Sequence, residues 1–243
     1  MDKIKKAIKS TFRLFGLDIS KVNLAPPIVK ENMPPTSFQH HQIDLLLDVG
    51  ANIGQFALNV RQQGYKNTIV SFEPLLDAHQ ILTEAAKNDS SWIIHERSAI
   101  GSKIGEAEIN ISNNSFSSSL LPMLDAHAIA APDSIYVGKQ TTKIITLDSV
   151  FNNYFKKNDK VFLKIDTQGF EKEVLDGAKD CLEHIMCVQL ELSIVSLYES
   201  QQLYEYFFNF FKSNGFILWS LIPGFGDPKT GQLLQFDAVF SRQ

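Results

Sequence analysis

From residue 44 onward the apolar positions switch between short unbroken runs and a helical period. Residues 44–49 (DLLLDV) form a run that stops at Gly50; Phe56, Ala57, Val60 and Arg61 then follow helical spacing, closed by Gly64. A second run, 68–72 (TIVSF), stops at Glu73 and Pro74, and residues 75–87 return to the helical period. Residues 92–95 (WIIH) begin a third strand expected to run toward Ile100. Unbroken apolar strands separated by helices of about ten to fifteen residues are the sequence form of a parallel sheet covered on both faces.

Past residue 105 the pattern is less regular. Alternation in 106–111 (EAEINI) predicts an edge strand or hairpin arm, followed by a polar stretch at 112–119 (SNNSFSSS). Residues 143–150 lead into a strand at 161–166 (VFLKID), a helix at 171–178, a strand at 188–193 (VQLELS) and an aromatic-rich helix at 201–213. Two last strands, 216–221 and 233–240, flank a loop with Pro223, Gly224, Gly226, Pro228 and Gly231, a spacing that permits an antiparallel pair. The order of elements predicts an α/β fold, a doubly wound sheet closed at one edge by an antiparallel hairpin. Few basic residues interleave with the aromatics between Tyr204 and Phe211, so these read as a helix face packed on the sheet, and no nucleic-acid partner is expected.

Ahead of residue 42 the character changes. Ile4, Ile8, Phe12 and Phe15 recur at helical spacing among lysines, and through Lys21 there are six basic residues against two acidic, a net +4. The chain as a whole carries −4, so the remainder carries −8. Residues 1–21 are therefore expected to form a basic amphipathic helix, which either leans on an anionic membrane surface through residues 1–17 or docks on the domain. Residues 22–41 read as a linker, with four of the nine prolines falling in ten residues, and 42–243 as the folded domain. Lysines interrupt the stretch where a secretory signal needs its apolar core. Apolar runs such as 216–222 stop after about seven residues, far short of the roughly 18 that cross a bilayer. The 243 residues, 44% of them hydrophobic, suffice for a real core. Cys181 and Cys187 are too few for a disulfide framework or zinc cage and read as core thiols. The setting expected is cytoplasmic, with peripheral contact at the inner membrane face as the variant.

In an open parallel sheet, ligands bind beyond the carboxyl ends of the strands. The first strand ends in Asp48-Val49-Gly50-Ala51-Asn52-Ile53-Gly54, where Gly50 and Gly54 leave no side chain against an approaching cofactor. The second ends in Glu73, 23 residues after Gly50 and followed by Pro74, a spacing at which an acid can accept hydrogen bonds from ribose hydroxyls. A dinucleotide fingerprint would place glycine at positions held by Asn52 and Gln55, so NAD fits poorly. A cofactor with adenosine but no pyrophosphate fits better, and S-adenosylmethionine is such a cofactor. Asp48, Gly50, Ala51, Asn52, Gly54, Glu73 and Pro74 are the candidate cofactor residues.

These segments, DVGANIGQFA, SFEP, TLDSVF at 146–151, KIDTQGFEKEVLDGA at 164–178 and LELS, resemble the FkbM family of S-adenosylmethionine-dependent methyltransferases over roughly residues 44–240. The resemblance implies the class I methyltransferase sheet of seven strands with the last antiparallel, and O-methylation as the reaction. It also implies that Asp48, Gly50, Asn52 and Glu73 line the cofactor, with Ser98 or Ala99 near the adenine.

Read from the residues alone, Lys164 and Asp166 lie two apart on one strand face, as do Gln189, Glu191 and Ser193 on the next strand. Adjacent strands would gather Lys164, Asp166 and Glu191 above the strand ends as the catalytic candidates. Asp166, just before Thr167-Gln168-Gly169, is the candidate base or the acceptor that orients a substrate hydroxyl; Glu191 can serve likewise, and Lys164 is either catalytic or a structural ion partner. Residues 115–119 read as a lid or a solvated loop, which makes Ser118, Ser119 and Gln168 the substrate candidates. No histidine pair has metal-ligand spacing, so no metal is expected, with a divalent ion on Asp166 and Glu191 as the lesser alternative. The acceptor expected is a hydroxyl of a carbohydrate, glycan or lipid-linked saccharide, or else of a polyketide-like product; a noncatalytic adenosine-cofactor binding module stays open beside them.

Overall fold

The computed structural model describes residues 36–243. The basic helix expected over 1–21, its membrane contact, and most of the expected linker lie outside the described residues. The linker's last residues depart from expectation: beyond Pro35, the chain turns as helix α1 (Thr36–His41), whose Phe38 packs between the rings of Tyr65 and Phe162.

A seven-stranded sheet follows, assembled from β1 (Leu45–Val49), β2 (Thr68–Phe72), β3 (Trp92–Ile94), β7 (Val161–Ile165), β8 (Ile185–Ser193), β9 (Phe216–Pro223) and β10 (Gln235–Arg242) in the order β3-β2-β1-β7-β8-β10-β9. The first five pair in parallel, and β10 inserts antiparallel between β8 and β9. Period-two alternation sends Leu45, Leu47, Val161, Leu163, Val188 and Leu190 into one core. That core lies under α5 (Leu147–Val150), α6 (Glu171–Asp176) and α7 (Tyr204–Ser213). Leu46, Phe162 and Cys187 point to the other face, where α2 (Gln55–Gln62) and α3 (Leu76–Ala86) supply Phe56, Ala57, Val60, Leu82 and Ala86. The aromatic helix thus packs as expected, with Phe207 and Phe211 buried, and both cysteines are buried free thiols.

A second sheet of three strands, β4 (Ala99–Ile100), β6 (Tyr136–Ile145) and β5 (Gly105–Ser112), differs from the sequence expectation. The strand begun at Trp92 stops at Ile94, since β2 ends at Phe72 and its last available acceptor, the Ser71 carbonyl, takes the His95 amide. Ala99 and Ile100 instead pair with Ile144 and Ile145. Strand β6 went unread because the face it partly covers carries polar residues, Gln140 and Thr142, while Val137, Lys139, Thr141 and Lys143 on the other face are exposed, so no hydrophobic alternation marks it. Between β5 and β6 the insertion folds back with α4 (Asp125–Ala130) and lies along the turn that follows β7.

Candidate active site

Three connections converge at the carboxyl ends of the central strands. The first is the β1–α2 turn. Gly50 and Ala51 both donate to the Phe72 carbonyl, at 3.1 and 3.0 Å, and Asn52, in the left-handed region at φ 47°, donates its amide to Glu73 Oε2 at 2.7 Å. Glu73 Oε1 accepts from the Leu75 amide at 2.8 Å, so this carboxylate ties together two strand ends. Burial pushes Glu73 up to about 7, although both amides favour its charged form. Asp48 is fully buried; its Oδ2 accepts from Ser71 Oγ at 3.2 Å while its Oδ1 finds no donor. Burial raises it to about 6 against the pull of Lys164.

The glycines also answer a demand of the protein itself. A Cβ on Gly50, which sits at φ 79°, would lie 1.8 Å from the Asp166 carbonyl oxygen. A Cβ on Gly54 would meet Leu82 and Trp92 at 2.8 Å. What these positions need is close approach of protein to protein, turn against turn and helix against strand. The side chain of Ala51 belongs to the core, leaving only its backbone to face a ligand. The Pro74 carbonyl is taken by Arg97 Nη1 at 2.8 Å. Ser98 donates to the Glu96 carbonyl, and Ala99 opens β4 in the second sheet.

The second connection leaves β7. Lys164, 3% exposed, lies with its Nζ 3.1 Å from Asp166 Oδ2 and 5.1 Å from the centre of the Phe56 ring. Asp166 keeps a quarter of its side chain exposed. Gln168, at φ 55°, donates through one nitrogen to Asp166 Oδ1 at 2.9 Å and Glu191 Oε2 at 2.6 Å. Lys164, Asp166 and Glu191 thus meet as their strand positions require. Glu191 also accepts from Gln235 Nε2 at 3.0 Å. Burial first, then Asp166, Asp237 and Glu171, drive Glu191 well above the usual carboxylate range, with Lys164 opposing.

Three participants escaped the sequence reading. Glu171 Oε1 accepts from Thr167 N, Thr167 Oγ1 and Gly169 N, bracing the turn that carries Gln168. Its signal was its place at the start of a helix just after a glycine. Tyr198 donates to Gln168 Oε1 at 2.8 Å. Asp237, opposite Glu191 on β10, accepts from Gln189. Neither of the last two had a sequence signal, since both arrive from distant strands and loops.

The third connection is the serine-rich loop. Ser119 donates to the Gln168 carbonyl at 2.7 Å, Ser118 accepts from the Ser112 amide at 2.9 Å, and Ser115 lies 3.4 Å from Asn52 Nδ2. The hydroxyls of Ser118 and Ser119 hold the loop in shape and join it to the β7 turn. Among the described residues no group of three His, Cys, Asp or Glu side chains could hold a metal ion, and a donor, Gln168 Nε2, stands between the two acids.

The Methyltransferase FkbM domain matches residues 48–218. The chain belongs to this family. Methyltransferases of that family use S-adenosylmethionine, and the sheet here has the class I strand order, with β10 as its reversed strand. A relative named hexuronic acid methyltransferase AglP, from Haloferax volcanii, is 28% identical over 149 residues, 61% of this chain and 56% of that protein. The match spans little more than half of that relative's length. Two solved structures are similar at 10% identity: TehB from Haemophilus influenzae, with TM-score 0.47 over 85% of this chain and 59% of that one, and magnesium protoporphyrin IX methyltransferase from Synechocystis with bound cofactor, with TM-score 0.45 over 86% and 74%.

The FkbM site residues fit this cofactor. Gly50 and Asn52 turn with positive φ beside a carboxylate at the end of β2, and Asp48 holds a buried oxygen without a donor. Asp48, Asp166 and Glu191 lie within electrostatic reach of Lys164, the single cation in this group, and Glu73 lies beside Asp48 and Asp166, an acid excess suited to a sulfonium charge.

Proposed function

We propose that this methyltransferase acts on a hydroxyl of a carbohydrate, glycan or lipid-linked saccharide, with Asp166 as general base. The observation that carries the reading is the position of Asp166: a partly exposed carboxylate whose amide donates to the Val49 carbonyl at 3.0 Å and whose own carbonyl abuts Gly50 of the cofactor turn. S-adenosylmethionine, when bound, supplies an electrophilic methyl on sulfur. An acceptor hydroxyl beside Asp166 would give that carboxylate its proton as the oxygen takes the methyl, the methyl–sulfur bond breaking to leave S-adenosylhomocysteine. Glu73 and the 50–54 turn hold the adenosine end. Lys164, 3.1 Å from Asp166 Oδ2, holds that carboxylate in place. Glu191, held high by its acid neighbours, supports Asp166 through Gln168 and is not itself the base.

Support for a sugar acceptor comes from the hexuronic acid methyltransferase named above and from the polar side chains gathered around the partly exposed Asp166, Gln168 among them. The acid excess favours a neutral hydroxyl-bearing part of the acceptor at the transfer point. A second reading, a polyketide-like acceptor, is favoured by the exposed apolar side chains Phe116, Ile129, Ile135 and Val137 on the insertion and the start of β6.

Calorimetry with S-adenosylmethionine, followed by release of S-adenosylhomocysteine against a panel of sugars, uronic acids and phenolic products, tests the reading. Asp166→Asn is expected to bind S-adenosylmethionine within about threefold of wild type and to lose about 10²- to 10⁴-fold in turnover. Near wild-type turnover in that variant would remove Asp166 from the role of base.

A further inference from the structure

Gln168 does more than lie near the acceptor. A carboxamide offers one oxygen and one nitrogen, and here the nitrogen directs both hydrogens at acids, Asp166 Oδ1 and Glu191 Oε2. The bridge needs the far end of the amide held, because Gln168 sits on a turn at φ 55° and its side chain would otherwise swing free. The far end is held by Tyr198. Its hydroxyl donates to Gln168 Oε1 at 2.8 Å and lies 3.3 Å from the Ser117 carbonyl.

Tyr198 is itself immobilised. It is fully buried, the His127 ring meets it edge-on with centroids 5.2 Å apart, and its amide donates to Gln201 Oε1 at 2.7 Å. Gly169 makes room for it, since a Cβ there would come within 3.0 Å of the Tyr198 side chain. So rigid a phenol, with its hydroxyl aimed at one amide oxygen, has a purpose beyond filling space.

We propose that Tyr198 is a positioning residue for methyl transfer, acting through Gln168: it fixes the amide so that one nitrogen bridges Asp166 and Glu191 and leaves the exposed edge of Asp166 free to accept the proton. This role rests on the reading of Asp166 as base. The charged and titratable groups around the pair are Lys164 on β7, Asp48 on β1, Glu73 after β2, Glu171 on α6 and Asp237 on β10. Only Lys164 is a cation among these. Without the bridging amide, two carboxylates would share a space with too few donors, and ionising both would be harder.

The test needs no acceptor. In the full chain labelled with ¹³C at aspartate and glutamate carboxyls, the Asp166–Glu191 pair should titrate by NMR in two steps between pH 4 and 9. Tyr198→Phe keeps the ring and removes the hydroxyl; it is expected to raise the lower step by about one unit. In a Gln168→Met background the same change should move nothing further, because the connecting amide is already gone. Tyr198→Phe titrating as wild type, or shifting the step equally in both backgrounds, would overturn the proposal. Should Tyr198→Phe fail to fold, Gln168→Met alone must raise the lower step, and an unchanged step there overturns it too. Retained turnover in Asp166→Asn would instead sink the base assignment while the titration still reports on the bridge.

Discussion

Gly50 shows how one absent methyl group joins the two halves of the site. Its Cβ would enter the Asp166 carbonyl at 1.8 Å, and the backbone there already has φ 79°. Both the clash and the left-handed conformation penalise any side chain. Gly50→Ala should therefore cost about 3 kcal/mol or more in urea unfolding. Gly64→Ala is the control: it shares a positive φ of 95° but has open space around the missing Cβ, so only the backbone penalty of about 1 kcal/mol is expected. Equal losses in the two variants would mean that the approach of the cofactor turn to Asp166 is not what demands glycine. At this scale the sequence pointed to Gly50, and the structure adds a neighbour it did not show, the Asp166 carbonyl. A D-x-G-x-x-x-G spacing locates a turn; it carries no information about which distant carbonyl fills the space.

At the scale of elements, the insertion between β5 and β6 packs Leu121, Met123 and Ala130 on Leu197 and Tyr198, and a side chain ties it directly to the turn after β7. Ser119 donates to the Gln168 carbonyl and accepts from the Leu121 amide at 3.0 Å. Ser119→Ala breaks both bonds while leaving β1, β2 and the cofactor turn untouched. Its expected signature is a raised KM for whichever acceptor the panel identifies, severalfold at about 1 kcal/mol per lost bond, with calorimetric affinity for S-adenosylmethionine unchanged. A loss of cofactor affinity would instead place the loop over the adenosine. Sequence periodicity found β1, β2, β7, β8 and β10 because each buries at least one regular face, whereas β9 was found from an apolar run whose side chains are mostly exposed. It ran β3 on toward Ile100 and passed over β6, where polar residues on the partly covered face erase the alternation that betrays a strand.

Across the whole molecule, acids buried beside the strand ends set a pH dependence. Burial raises Asp48 to about 6, and Glu73 and Glu171 to about 7. Such groups bind protons more tightly in the folded state, so their contribution is fully present below about pH 4, where the unfolded carboxyls titrate, and is lost as pH rises through 6 to 7. The melting temperature of the cofactor-free protein should fall between pH 5 and 8, and Glu73→Gln should flatten that slope in thermal scans. A slope unchanged by the substitution would show that Glu73 is already ionised when the site is empty. Sequence by itself determined the α/β order, the FkbM motifs, the turn at Asp48 to Gly54 and the shared face of Lys164 and Asp166, since each is a matter of local spacing and strand period. Tertiary structure alone decided that Glu73 braces the cofactor turn, that Gly50 yields to Asp166, and that Tyr198 grips Gln168 between two acids. Those contacts join residues 21 to 116 positions apart, and no periodicity along the chain encodes a distance across it.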